Sequence, residues 1–332
     1  MARPTPSTAG PAASAPRRPR LLSIGETLID LIVADGSPSL ETASDLVARM
    51  GGAPANVAVA SARLGADAAF CGVVGDDPFG RRLRQGLTDQ GVDTSTLATT
   101  PVAPTTMAFA WKDHRGDGHF WLLRGADIQL SGAQVGDADI PSRDAIVVGS
   151  VALAAMPSRG AIEEAARRAA GSGVVVCFDI NLRPTLWPDL AEAKAACAAV
   201  LEHTTVVKLS VDDASGILGL TDPDQIVSHL LGTTPVRIVV LTDGARGAWF
   251  ASRGNPQVRH VPAFVVDAVE PTGAGDAFTA ALLTRLHERN WADPTSADIA
   301  FASGAGALAT TKRGAWEGLP TRRELDAFLA GR

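Results

Sequence analysis

Short apolar or β-branched runs alternate along the chain with alanine-rich segments of helical composition. Residues 21–24, 69–74, 145–148, 174–178, 206–209 and 238–241 predict strands, and 56–64, 161–170, 190–201 and 276–289 predict helices. A run such as Val174-Val175-Val176 is apolar without alternation, so both of its faces need cover. The pattern predicts an α/β fold in which helices on both faces enclose a mostly parallel sheet, a three-layer αβα core. Gly65 and Gly171 stand where helix C-caps are expected.

Residues 31–50 and 102–125 break this rhythm, reading as extended chain with no helix between strands. Within the second, 106–111 and 119–123 flank a polar, glycine-containing stretch at 112–118 that predicts a hairpin turn. The two segments form a small β appendage in this reading. An appendage of this kind covers a pocket at the C-terminal edge of the sheet, where open α/β folds bind ligands. The main domain is expected over 21–330, and the Pro-, Ala-, Ser- and Arg-rich residues 1–20 are expected to be a flexible tail.

Composition narrows the function. With 46% hydrophobic and 20% charged residues the chain is that of a globular protein. A net charge of −6 supplies no broad basic field, which argues against nucleic acid as the main partner. Cys71, Cys177 and Cys197 lack disulfide or zinc spacing and fit a reducing compartment. The tail has no apolar signal-peptide core, its prolines oppose a helical transit peptide, and no run reaches the length of a membrane span. A cytoplasmic location with no membrane partner is therefore expected.

The segment Val269-Glu-Pro-Thr-Gly-Ala-Gly-Asp-Ala-Phe278 leads a glycine-rich loop directly into an apolar helix. Gly273 and Gly275 allow backbone N–H groups to approach an anion, and the helix dipole adds positive potential at the same point. Asp276 there reads equally as a helix cap and as a base for a hydroxyl that accepts phosphate. The P-loop, the dinucleotide fingerprint and the protein-kinase motifs are absent, and the six histidines are scattered without metal spacing.

Two long stretches, Gly51-Gly-Ala-Pro-Ala-Asn56 through Gly65 with Phe70 to Gly80, and Pro271-Thr-Gly-Ala-Gly-Asp-Ala-Phe278, resemble in order the two signatures of the ribokinase-like (PfkB) carbohydrate kinases. The resemblance runs from about residue 21 to 319. It implies a core α/β domain with a β-sheet lid, ATP as phosphoryl donor, magnesium and a sugar hydroxyl as acceptor. By the family pattern Asp276 matches the catalytic base, and the N–H groups of Gly273, Ala274 and Gly275 match the anion hole. Asp30, Gly51, Gly52 and Asn56 match the sugar site; taken alone, Asn56 also reads as a helix cap and the glycines as a turn. Asn181 and Arg183, in Asp179-Ile-Asn-Leu-Arg183, resemble a segment of fructokinases and 2-keto-3-deoxygluconate kinases, and Arg124 matches their lid arginine. Arg183 suits bidentate contact with a phosphate or carboxylate, the favoured reading, against a structural ion pair with Asp179. Lys208, Ser210, Thr242, Gly244 and Gly275 match nucleotide-contacting positions, and Asp213 one near the hydrated metal.

Two departures stand out. Glu270 replaces an aspartate associated with a monovalent cation, which leaves potassium activation open, and Ser303 replaces an asparagine often found beside adenine. Within the family the chain reads most like bacterial fructokinases. Alternatives are a 2-keto-3-deoxygluconate kinase, a ribokinase or nucleoside kinase, and a sensor that binds without turnover. Lids of this family often meet across a homodimer, so one is expected here.

Overall fold

The computed structural model describes residues 17–115 and 117–331. Its strands are β1 (Arg20–Ile24), β2 (Leu28–Val33), β3 (Leu46–Gly51), β4 (Asp67–Gly75), β5 (Leu97–Thr100), β6 (Met107–Lys112), β7 (Gly118–Leu123), β8 (Ala145–Gly149), β9 (Val175–Asp179), β10 (Val206–Ser210), β11 (Ile238–Thr242), β12 (Ala248–Ser252) and β13 (Asn255–Val261). The helices are α1 (Ala53–Arg63), α2 (Pro78–Asp89), α3 (Gly132–Gly136), α4 (Ser158–Gly171), α5 (Leu190–Leu201), α6 (Val211–Leu218), α7 (Pro223–Thr233), α8 (Ala274–Glu288), α9 (Ser296–Ala309), α10 (Ala315–Gly318) and α11 (Arg322–Ala330).

Among the described residues the large sheet has nine strands in the order β13-β12-β11-β10-β9-β8-β1-β4-β5. From β11 to β5 all pairings are parallel, and β12 and β13 close one edge antiparallel. Successive residues of one strand enter opposite cores. Val176 and Phe178 join the core under α4 and α5, whereas Cys177 joins the core under α1, α8 and α9. Double-sided burial explains why these strands are continuously apolar.

A second sheet of four strands, β3-β2-β6-β7, stands beside the first. It is built from two antiparallel hairpins, β2–β3 and β6–β7, joined by the parallel pair β2–β6. Its strands lie at the positions that lacked helical rhythm, although β2 starts at Leu28, ahead of the expected boundary at 31.

Three expectations shift. Residues 1–16 of the expected tail lie outside the described residues, while Arg17 and Arg20 already pair with Asp144 at 2.5 and 3.5 Å. Gly171 is the last residue of α4, and Gly173, at φ 73°, makes the left-handed turn that ends it. The antiparallel edge β12–β13 had no counterpart among the predicted strands.

Candidate active site

The strands β9, β10 and β11 end at Asp179, Ser210 and Thr242, and all three residues line a cleft of about 570 Å³. Its far wall carries Asp30 of β2 and Phe120 and Leu122 of β7, so the small sheet forms one side of the opening. The cleft therefore lies at the carboxyl edge of the parallel sheet, the ordinary ligand position for this architecture.

The N-terminus of α8 supplies its floor. Gly273 is the N-cap at φ 83°, a left-handed conformation that favours glycine, and Gly273 and Gly275 both line the cleft. A Cβ on Gly275 would lie 2.8 Å from Lys208 Nζ, so only glycine leaves this approach open. The Ala274 N–H donates to the Pro271 carbonyl at 3.1 Å, and Ala274 does not line the cleft. Of the expected three-residue anion hole, Gly273 and Gly275 remain facing it.

Asp276 does not cap the helix. It is buried, and its Oδ2 accepts a 2.7 Å hydrogen bond from Asn56 Nδ2 of α1. Asn56 Oδ1 in turn accepts from the indole N–H of Trp316 at 2.8 Å, so Asn56 is no cap either. Burial pushes the Asp276 carboxyl up from its ordinary 3.8 to about 7, the charge of Asp179 adding to this and Asn56, Lys208 and Arg183 opposing it.

Asp30 lines the opposite wall, likewise pushed up to about 7 by burial and by the charges of Glu270 and Asp276. A Cβ on Gly51 would fall 2.1 Å from Asp30 Oδ2, so Gly51 makes room for this carboxylate without itself lining the cleft. Gly52, at φ 102°, sits where a Cβ would lie 2.6 Å from the Glu26 carbonyl, and it does line the cleft.

Beneath the helix terminus, Asp179 receives Lys208 Nζ on Oδ1 at 3.0 Å and Thr279 Oγ1 on Oδ2 at 2.6 Å. Both charges are buried, and Lys208 is held above its ordinary pKa by Asp179 and Asp276 against the opposing cost of burial. Because Lys208 and Thr279 occupy Asp179, the alternative pairing of Arg183 with Asp179 is not formed. Arg183 donates instead to Asn181 Oδ1 and to the Leu182 carbonyl, and its guanidinium lies 5.7 Å from the Phe120 ring centre. Asn181 and Arg183 both line the cleft.

Towards β11, Ser210 and Asp213 form a capping box for α6, and Asp213 Oδ1 also accepts from the Leu182 N–H at 2.7 Å. Both line the cleft while serving this structural task. Thr242 lines it as well, whereas Gly244 and Ser303 do not. Glu270 also lies off the cleft lining, with Oε2 accepting from the Gly314 N–H at 3.2 Å. Arg124 is drawn away by a buried ion pair: Nε donates to Asp127 at 2.6 Å and Nη1 to the Val151 carbonyl at 3.0 Å. It does not line the cleft, because Asp127 lies three positions on in the same turn and claims the guanidinium.

Sequence reading missed Glu26, a buried carboxyl in the cleft wall pushed up to about 8 chiefly by burial, whose Oε2 has no hydrogen-bond partner among the described residues. It missed the Asp179–Lys208–Thr279 network and Trp316 too, since each links residues far apart in the chain. Among the described residues no cluster of three acidic, histidine or cysteine side chains can hold a metal. No described helix is long and apolar enough to cross a membrane.

A glycine-lined helix terminus, a buried carboxylate beside it and a second carboxylate across the cleft, on a ribokinase-like fold, define a phosphotransferase that acts on an alcohol group. The chain belongs to the pfkB family of carbohydrate kinases, whose model matches residues 18–322. It is 35% identical over 316 residues to fructokinase-1 of Oryza sativa subsp. japonica, covering 92% of this chain and 96% of that protein. Fructokinase with bound ATP from Xylella fastidiosa superposes with a TM-score of 0.83 at 30% identity, covering 94% and 98% of the two chains. A fructokinase double mutant from Vibrio cholerae O395, in its fructose, ADP and potassium ion bound form, superposes with a TM-score of 0.81 at 33% identity, covering 95% and 99%.

Proposed function

We propose that the protein is an ATP-dependent fructokinase, converting fructose and ATP to fructose 6-phosphate and ADP. The observation that carries this reading is the convergence of Gly273, Gly275, Asp276 and Asp30 on one cleft. The relatives with bound ATP and with bound fructose and ADP support the choice of donor and acceptor.

Asp30 and Asn56 are suited to holding sugar hydroxyls, one accepting and the other donating through its amide. Asp276 takes the proton of the attacking hydroxyl as that oxygen bonds to the γ-phosphorus. The bond to the bridging oxygen breaks and ADP leaves with its electron pair. The Gly273 and Gly275 amides and the α8 dipole stabilise charge on the transferring group. A base whose pKa lies at about 7 is poised for this task near neutral pH. Asp213, on the cleft wall, is the carboxylate that would lie near a magnesium ion brought by the nucleotide, and such an ion would supply neutralisation of phosphate charge. Potassium at the Glu270 loop is a further element of the reading, tested by assay in sodium against potassium.

Phe120 and Leu122 make the small sheet the natural lid, closing on the sugar and excluding water. Leu46, Trp121 and Leu123 expose apolar surface on that sheet, which supports a homodimer through it; sedimentation of Trp121→Glu against the parent tests this. The buried free cysteines suit a cytoplasmic location, which fractionation tests. The function itself is tested by ADP release with fructose, 2-keto-3-deoxygluconate, ribose, glucose and adenosine. Preference for fructose is expected. Preference for the keto acid would reassign the substrate, and binding without turnover would make the protein a sensor.

A further inference from the structure

Trp316 is nearly fully buried between α1, α2 and β3. A Cβ on Gly86 would lie 2.9 Å from the indole Cζ3, so glycine there leaves room for the ring. Arg63, at the end of α1, donates to the Trp316 and Leu319 carbonyls at 2.7 and 2.6 Å and pins the α10 turn. The indole thus has one place to stand, and its N–H meets Asn56 Oδ1.

We infer that Trp316 is a positioning residue for phosphoryl transfer: its N–H fixes the orientation of the Asn56 amide, which in turn holds the Asp276 carboxylate ready to accept a proton. This rests on the reading of Asp276 as the base. An indole N–H can only donate, so the Asn56 atom facing it must be the oxygen, and the NH₂ group is then turned to Asp276. A flipped amide would set NH₂ against the indole N–H and oxygen against a carboxylate, leaving both contacts repulsive. Protonated Asp276 can donate its O–H to Asn56 only if that amide flips to present Oδ1, and Trp316 opposes the flip. The indole therefore favours the ionised, proton-accepting state.

The other charges facing Asp276 are Asp179 on β9, Lys208 on β10, Arg183 after β9, Asp30 on β2 and Glu26 before β2, whereas the Trp316 indole N–H donates to Asn56 and the Trp316 carbonyl accepts from Arg63. The pH dependence of Trp316→Phe, which keeps an aromatic ring and removes the N–H, therefore reads the amide orientation. The acid limb of its kcat profile is expected to move up by about one pH unit, so that the rate near pH 6 falls about tenfold and recovers by pH 9. The ATP KM should stay within about twofold, because the contact lies on the acceptor side. On an Asn56→Leu background the same substitution should add no shift.

A lowered melting temperature with an unmoved acid limb, or a shift that persists without Asn56, would overturn the inference and leave Trp316 a packing residue. Where Trp316→Phe does not fold, replacing Trp316 with its benzothiophene isostere removes the N–H at constant shape and is read the same way. Turnover retained in Asp276→Asn would instead bring down the reading of Asp276 as base, an outcome visible independently of Trp316.

Discussion

Asp276→Asn should make the protein more stable while slowing turnover by orders of magnitude. Burial, with the neighbouring Asp179 charge, moves the Asp276 carboxyl from 3.8 to about 7. Between those values the folded chain keeps a proton that the unfolded chain has released, so this group removes stability as pH rises through the interval, and the loss is complete above about pH 7. The interval is about three pH units, and at about 1.36 kcal/mol per unit the ceiling is about 4 kcal/mol. Asparagine removes the titration and still offers an oxygen to Asn56 Nδ2. Thermal unfolding of parent and variant from pH 4 to 9 should show curves close together at the acid end that separate to about 2–4 kcal/mol above pH 7. For a chain of 332 residues this is about 3–6 °C in Tm. Asp30 and Glu26 titrate in both proteins, and because the Asp276 charge helps to raise both carboxyls, its removal lowers them and widens the separation in the same direction. Curves parallel across the whole range, or a variant less stable at pH 8, would refute the electrostatic reasoning.

Three further outcomes follow from the same geometry. Gly51→Ala places a methyl 2.1 Å from Asp30 Oδ2 and must turn that carboxylate aside; steady-state kinetics should show the sugar KM raised about 10- to 100-fold, with the ATP KM little changed. Lys208→Met leaves buried Asp179 without its cation, so calorimetry should read a loss of about 3–5 kcal/mol, and a melting temperature within a degree of the parent would contradict the buried pair. The parent kcat should rise with pH through about 7 as Asp276 loses its proton, and a flat profile from pH 5.5 to 8.5 would contradict the assigned base.

The parallel core was legible because strands buried on both faces cannot alternate: Val174 to Phe178 or Val206 to Leu209 has little other use in a globular chain. The antiparallel edge was not, because β13 carries Asn255, Gln257 and His260 on exposed chain and lacks the apolar run that marks a central strand. Gly171 and Gly173 compete for one helix end, and only backbone geometry separates them. At the site, a glycine loop entering a helix announced itself locally, and Asp276 with it. The partners that give Asp276 its properties did not: Asn56 lies 220 residues before Asp276, and the Trp316 that fixes it stands 260 residues after Asn56, on the other side of Asp276 in the chain. Arg124 lies off the cleft for a local reason, since Asp127, three positions on in the same turn, pairs with its guanidinium. Glu26 reads as one more polar residue at a strand end until folding buries it.

The central claim is that Asp276 accepts the proton of a sugar hydroxyl as phosphate leaves ATP. Rapid-quench single turnover with γ-labelled ATP and fructose, beside equilibrium binding of both ligands, tests it most directly. The account predicts that Asp276→Asn binds ATP and fructose within a few-fold of the parent and transfers phosphoryl about 10²- to 10⁴-fold more slowly. Transfer by that variant at the parent rate would contradict it.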